Sequence, residues 1–160
     1  MIIKNRKFDL RIWVTVTDWN PLTVWYYKKP YVRLPAHDYN PGDILNNFSH
    51  LANNSIAKYG TDNNNEHEIE GNMMFIEELQ ELLIDQHSQD IYEDIIEEKL
   101  KTLIINTLES VQDTFDYKKG CFELYGFDVM IDEEFNCWLI EVNSSPAMDY
   151  STHITEKLVK

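Results

Sequence analysis

Residues 122–146, F-E-L-Y-G-F-D-V-M-I-D-E-E-F-N-C-W-L-I-E-V-N-S-S-P, constrain the fold more than any other stretch. Two alternating apolar runs flank a short polar turn, Asp132 to Asn136, the pattern of a β-hairpin. Side chains alternate faces along a strand. On the second strand Glu141 and Asn143 therefore share a face, and Ile140 and Val142 point the other way. On the first, Asp128 lies with Gly126 and Met130, opposite Phe127, Val129 and Ile131. A loop of residues 133–136 pairs 132 with 137 and sets Asp128 against Glu141 on one face of an antiparallel pair. Opposed carboxylates repel. Strand spacing leaves two readings open: a hard divalent cation such as Mg²⁺, which takes few protein oxygens along with water and phosphate, or an ordinary hairpin with its acidic face in water.

Residues 8–17 also alternate. Phe8, Leu10, Ile12, Val14 and Val16 form an apolar face, and Lys7, Asp9, Arg11, Trp13 and Thr15 form the other. Asp18-Trp19-Asn20-Pro21 is turn chemistry. A second strand follows over Leu22 to Lys28, Pro30 breaks it, and a third covers Tyr31 to Leu34, so the first forty residues read as an antiparallel meander. Lys7, Asp9 and Arg11, joined by Arg33, make a charged row. Arginine suits bidentate phosphate or carboxylate binding; the alternative is a solvated strand face with a surface ion pair.

Residues 36–72 are polar and Asn-rich, with a short helix expected over Ile44 to Phe48 and a mobile loop over Asp62 to Gly71. His50, His67 and His87 have no ligand spacing and read as surface residues. Periodicity predicts a helix from Met73 to Gln86, and a second after Asp90, its N-cap, to about Phe115. Ile91, Ile95, Leu100, Leu103, Ile104, Leu108, Val111 and Phe115 make the second helix's apolar stripe. Tyr117-Lys118-Lys119-Gly120 is a stop signal. Ser151 or Thr152 can cap a last helix, Ile154 to Val159.

The chain has 160 residues, 43% hydrophobic and 26% charged, which fits one globular domain or a large piece of one. The net charge of −14 argues against nonspecific nucleic-acid binding and against attraction to an anionic membrane. No signal-peptide pattern and no membrane-spanning apolar run is present. Cys121 and Cys137 fall far apart in the hairpin register, which points to reduced thiols in a cytosolic protein.

K-F-D-L-R (7–11), V-T-D-W-N-P-L (16–22), Y-V-R (31–33), H-L-A-N-N-S-I (50–56), F-E-L-Y-G-F-D (122–128) and W-L-I-E-V-N-S-S-P (138–146) occur together and in order. This set closely resembles the C-terminal part of the tubulin–tyrosine-ligase-like enzymes, ATP-grasp amino-acid ligases that modify tubulin tails. The Trp19-Asn20-Pro21-Leu22 turn, Asn53-Asn54, Asn72-Met73 and the run from Phe122 to Gly126 look most like the glycylase branch. The resemblance implies an α+β fold, the C-terminal portion of an ATP-grasp domain with a largely antiparallel sheet and packed helices. It implies ATP and Mg²⁺ as cofactors. Asp128, Glu141 and Asn143 match metal ligands, and Lys7, Asp9 and Asn53 match nucleotide contacts. Arg11 and Arg33 match arginines near the transferred phosphate and the acceptor. Ala52 stands where the family often has Thr, removing one hydroxyl.

The implied reaction joins glycine to a glutamate side chain of a tubulin tail through an acyl phosphate. The implied location is the cytoplasmic cytoskeleton, in a cilium or flagellum axoneme. Residues 1–160 are then expected to be a partial domain without its N-terminal lobe and glycine-rich loop, and inactive alone. Two other functions stand beside this one: an inactive module that docks on microtubules or a partner, and a ligase of the same fold that uses glutamate or a non-tubulin acceptor.

Overall fold

The computed structural model describes residues 1–57, 59–60, 72–116, 120–146, 148 and 153–159, and of residues 158 and 159 the backbone alone. The expected loop over 62–71 with His67, the stop signal at 117–119 and the cap at 151 or 152 lie outside the described residues.

A two-stranded ladder opens the chain, β1 (Ile2–Ile3) against β2 (Arg6–Lys7). The long strand β3 (Asp9–Trp19) follows, then β4 (Leu22–Tyr26) and β5 (Tyr31–Arg33). Two single-turn helices come next, α1 (Asn47–His50) and α2 (Asn54–Ala57). After β6 (Met73–Phe75) come α3 (Ile76–His87), a π turn at Tyr92–Ile96 running into α4 (Glu97–Val111), and a 3₁₀ turn at Gln112–Thr114. The hairpin strands are β7 (Glu123–Ile131) and β8 (Cys137–Ser144), and α5 (His153–Val159) comes last. The sheet order is β6-β5-β3-β7-β8, with β4 also on β3, and every pairing is antiparallel. This is the α+β architecture with a largely antiparallel sheet that the sequence implies.

The alternation of β3 decides the layering. Phe8, Leu10, Ile12, Val14 and Val16 are all buried, packed with Phe127, Val129 and Ile131 of β7 and with Leu79 and Leu83 of α3. From the last long helix come Tyr92, Ile96, Leu100, Ile104 and Leu108, each buried and each four residues from the next. A strict four-residue repeat drifts around a helix of 3.6 residues per turn, and the wider π turn takes up part of that drift. Ile96, which the expected stripe left out, is fully buried, Ile95 packs against the core half-buried, and Val111 and Phe115 emerge from it, each 38% exposed. Asp90 caps as expected, its Oδ1 accepting from Glu93 N at 3.1 Å.

Three expectations need correction. The first forty residues are not a meander, because β5 does not pair with β4. Both lie along the same edge of β3, β4 on its C-terminal half and β5 against Asp9–Arg11, with the Pro30 break between them. Met73–Phe75 is a strand, since its backbone pairs with Tyr31–Arg33, and α3 starts at Ile76. The helix expected over 44–48 forms instead at Asn47–His50, where Asn46 Oδ1 accepts from Phe48 N.

The hairpin keeps its expected central pair by two departures that cancel. Ile131 pairs with Cys137, so the loop is 132–136, one residue longer than expected. Asp132 sets this loop by accepting from the backbone N of Glu134 and Asn136 and from Trp138 Nε1, hydrogen bonds that hold its carboxyl well below the ordinary range. A bulge at Ile140 then restores the shift, and Asp128 faces Glu141. Cys121 and Cys137 are both free thiols.

Leu100→Ala removes a fully buried side chain at the centre of the helix–sheet interface and is expected to cost about 2–5 kcal/mol. Val111→Ala, at the exposed end of the same helix, is expected to stay within about 0.5 kcal/mol. Urea unfolding midpoints at unchanged slope check both.

Candidate functional site

The outer face of the sheet carries the charged row, and it is not a solvated face. Asp9 and Arg33 are opposed across β3 and β5, and Arg11 and Asp128 across β3 and β7. Register alone thus brings two arginines and two aspartates together at the middle of three strands. Asp9 is 6%, Arg33 4% and Asp128 1% exposed. Arg33 Nε donates to Asp9 Oδ1 at 2.6 Å, and its Nη2 pairs with Asp128 Oδ2 at 2.8 Å. Arg11 Nε donates to Asp128 Oδ1 at 2.5 Å and its Nη2 to Asp128 Oδ2 at 3.0 Å, a two-point fork.

These contacts set the protonation states. Burial alone pushes the Asp128 carboxyl up, but the Arg11 hydrogen bond and the charges of both guanidinium groups outweigh it, leaving a net fall below the ordinary value. Burial dominates at Asp9, which ends above the ordinary value despite Arg33. Burial also works against the Arg33 charge, yet the two aspartates together hold its proton more firmly than usual. Lys7 is lowered by burial, with Asp9 opposing.

Asn143, on β8, joins the pair. Its Nδ2 donates to Glu141 Oε1 at 3.1 Å and lies 3.5 Å from Asp128 Oδ2. Asp128, Glu141 and Asn143 therefore meet on one face, as side-chain parity requires. Among the described residues no group of three or more His, Cys, Asp or Glu is placed to hold a metal ion. The set at this point is two carboxylates and an amide, a donor set that fits a hard, oxygen-preferring divalent cation. A cation would take the amide oxygen of Asn143, whose N–H now faces Glu141.

A cleft of about 370 Å³ opens beside these groups. Lys7, Asp9, Arg33, Asn53, Asp128 and Glu141 line it, so six of the eight expected residues share one cavity. The other two, Arg11 and Asn143, touch Asp128 from outside the lining. Lys7, Arg11 and Arg33 balance Asp9, Asp128 and Glu141 at this site, although the chain as a whole is strongly negative. His50, Leu51, Met130 and Ile140 also line the cleft and were not expected there. Plain alternation sends Ile140 to the far face, and the bulge is what brings it into the cleft. His50 and Leu51 arrive with the α1–α2 segment, where Ala52, at the position of the missing hydroxyl, is also part of the wall.

Beyond Arg11 the same face turns apolar. Trp13, Tyr31, Met73 and Ile154 of α5 form a second small cluster. The Trp13 indole N–H is buried and finds no acceptor among the described residues. Gly126, opposite Trp13 on β7, leaves the path of the Arg11 side chain open. A Cβ there would stand 3.3 Å from Arg11 Cδ and 3.1 Å from Pro146 Cβ.

A family model described as the tubulin-tyrosine ligase family matches residues 1–160. Tubulin glycylase 3C of Tetrahymena thermophila is 45% identical over 161 residues, covering 100% of this chain and 15% of that protein. Tubulin glycylase 3D of the same organism is 44% identical, with 16% of its length covered. Tubulin monoglycylase TTLL3 of Homo sapiens is 39% identical over 160 residues, covering 99% of this chain and 21% of that protein. The chain thus spans between 15% and 21% of the length of these relatives.

Gly126→Ala is expected to cost about 1–3 kcal/mol by crowding Arg11 against the hairpin end, read as a lower unfolding midpoint. Arg33→Met leaves Asp9 buried without its partner and is expected to cost about 3–5 kcal/mol near neutrality. In that variant the folded-state pKa of Asp9 rises further above its unfolded value. The stability it contributes is then fully present below the unfolded value and is lost as pH rises through the folded one. Urea midpoints measured from acid to neutral pH should therefore fall more steeply with rising pH in Arg33→Met than in the unmodified chain.

Proposed function

This chain belongs to the tubulin-tyrosine ligase family, and from that premise we propose that it forms part of the catalytic cleft of an ATP-dependent ligase that joins glycine to glutamate side chains of tubulin tails. The observation that carries the reading is the convergence of Lys7, Asp9, Arg33, Asn53, Asp128 and Glu141 on one cleft. The glycylase names of the relatives support glycine as donor and tubulin as acceptor.

The chemistry needs an activated carboxylate. ATP phosphorylates the acceptor glutamate to an acyl phosphate and leaves as ADP; the glycine amine attacks the acyl carbon, phosphate departs, and a proton is lost as the γ-amide forms. A carboxylate approaching a triphosphate brings like charges together, so cationic groups fixed in advance supply much of the barrier lowering. Arg11 and Arg33 are those groups, forks suited to phosphoryl oxygens and anchored to the sheet by Asp128 and Asp9. Lys7 and Asn53 face the same cavity and contribute nucleotide contacts. Asp128, Glu141 and Asn143 would hold Mg²⁺, whose contribution when bound is Lewis-acid neutralisation of phosphate oxygens. No serine or cysteine nucleophile enters this scheme. The tubulin-modifying names of the relatives support a cytoskeletal site of action, which we place in a cilium or flagellum.

Grafting the 160 residues in place of the matching segment of tubulin glycylase 3C gives the test. With tubulin, ATP and labelled glycine, the graft is expected to incorporate label, and Asp128→Ala or Glu141→Ala to lower incorporation at least about a hundredfold. Wild-type rates in both variants, or an inert graft beside an active parent, would refute the reading. Competition with unlabelled glutamate separates glycine ligation from a ligase of the same fold with another donor.

A further inference from the structure

Of the three oxygen-bearing residues assigned to the cation, Asp128 is the most enclosed, and guanidinium groups do the enclosing. Its Oδ1 accepts from Arg11 Nε at 2.5 Å, and its Oδ2 takes both Arg11 Nη2 at 3.0 Å and Arg33 Nη2 at 2.8 Å. Glu141 is exposed, and its Oε1 accepts from the Asn143 amide. A divalent cation arriving by itself meets two positive groups fixed against the carboxylate it requires, and like charges at this range repel. An oxyanion reverses the balance. Guanidinium forks bind phosphate oxygens in the same two-point manner as carboxylates, so an anion in the cleft competes with Asp128 for the same donors.

The two arginines are not equivalent in this exchange. Arg33 divides its donors between Asp9 and Asp128, so it keeps one buried carboxylate when it yields the other. Arg11 hydrogen-bonds to no carboxylate but Asp128 among the described residues, and it is the more exposed of the two. Its side chain lies directly over Gly126, where a Cβ would stand 3.3 Å from Arg11 Cδ. Arg11, held by one carboxylate, is the fork that exchanges partners, and Arg33, held by two, is the one that stays.

We propose that Arg11, supported by Arg33, keeps Asp128 closed to divalent cations until an oxyanion takes over its fork, so that the cation enters with the phosphate or after it and not before. The proposal rests on the nucleotide-cleft reading above and adds an order of binding to it. Linkage makes the coupling reciprocal: whatever factor the anion adds to cation affinity, the cation adds to anion affinity.

The test uses the full chain, Mn²⁺ followed by the paramagnetic resonance signal of the free ion, and sulfate as an oxyanion that chelates Mn²⁺ weakly. Chloride at matched ionic strength is the control. Saturating sulfate, and not chloride, is expected to raise Mn²⁺ affinity about tenfold or more. Arg11→Gln is expected to bind Mn²⁺ without sulfate about as tightly as the unmodified chain binds it with sulfate, and to lose the response to sulfate. Mn²⁺ binding to the unmodified chain that ignores sulfate, yet is abolished by Asp128→Asn, overturns the proposal and leaves the cation site standing. Absence of protein-bound Mn²⁺ in every arm, including one in which Mn²⁺–ATP is followed by equilibrium dialysis, overturns the cation site and the functional reading with it. The sulfate arm on the unmodified chain decides the matter even where Arg11→Gln does not fold.

Discussion

Asp128 between Arg11 and Arg33 is the contact on which the geometry of the candidate site depends. Through it β3, β5 and β7 are tied at a single level, because Asp9 faces Arg33 across one strand pair and Arg11 faces Asp128 across the other. The sheet has ample apolar burial on its inner face and does not need ions on the outer one. A buried ionic cluster is weak evidence for stability, since desolvation offsets much of its attraction, and well-packed apolar residues of the same volume often do as well or better. Losing one member is costly, because its partner is then buried without a counter-charge. Such an arrangement suits a chain that must hold charged groups at fixed positions, ready for an anionic ligand, more than one that merely needs a core.

Much of this was legible from alternation. The parity of Phe8 to Val16 found the buried face of β3, and the parity of Asp128 against Glu141 and Asn143 found the outer face of the hairpin. The hairpin pairing came out right for a partly wrong reason: the loop is one residue longer than expected, and the bulge at Ile140 compensates. Sequence alone signals neither, because a bulge shows itself in which backbone groups pair and not in which side chains are apolar. The same bulge moved Ile140 into the cleft. Sequence does not reveal its place there, since an exposed isoleucine beside an acidic residue carries no pattern of its own.

The segments misread were those whose structure depends on distant partners. Met73–Phe75 has helical company on its C-terminal side and is a strand because Tyr31–Arg33 lies beside it. The charged row looked more like a wet strand face than a binding site, since nothing local in Lys7–Arg11 says that Arg33 and Asp128 arrive from 24 and 117 residues away to bury it. His50 and Leu51 lie in a segment with little periodicity, and long-range packing places them on the cleft. The net charge of −14 was similarly uninformative about the site, where three cationic residues meet three acidic ones.

The three oxygen-bearing residues differ in mechanical standing. Asp128 sits on β7, flanked on both sides by paired strands, and its carboxylate has almost no exposure. Glu141 and Asn143 sit on β8, the outermost strand of the sheet, whose residues are largely exposed and whose ladder already contains a bulge. Edge strands with few buried contacts open and adjust more readily than central ones. A cation drawing these groups together would move the edge toward the centre. Asp128 then acts as the fixed reference. On the proposed order of binding, the groups that yield are the Arg11 side chain and the two side chains on the edge, and the three central strands are the frame they move against.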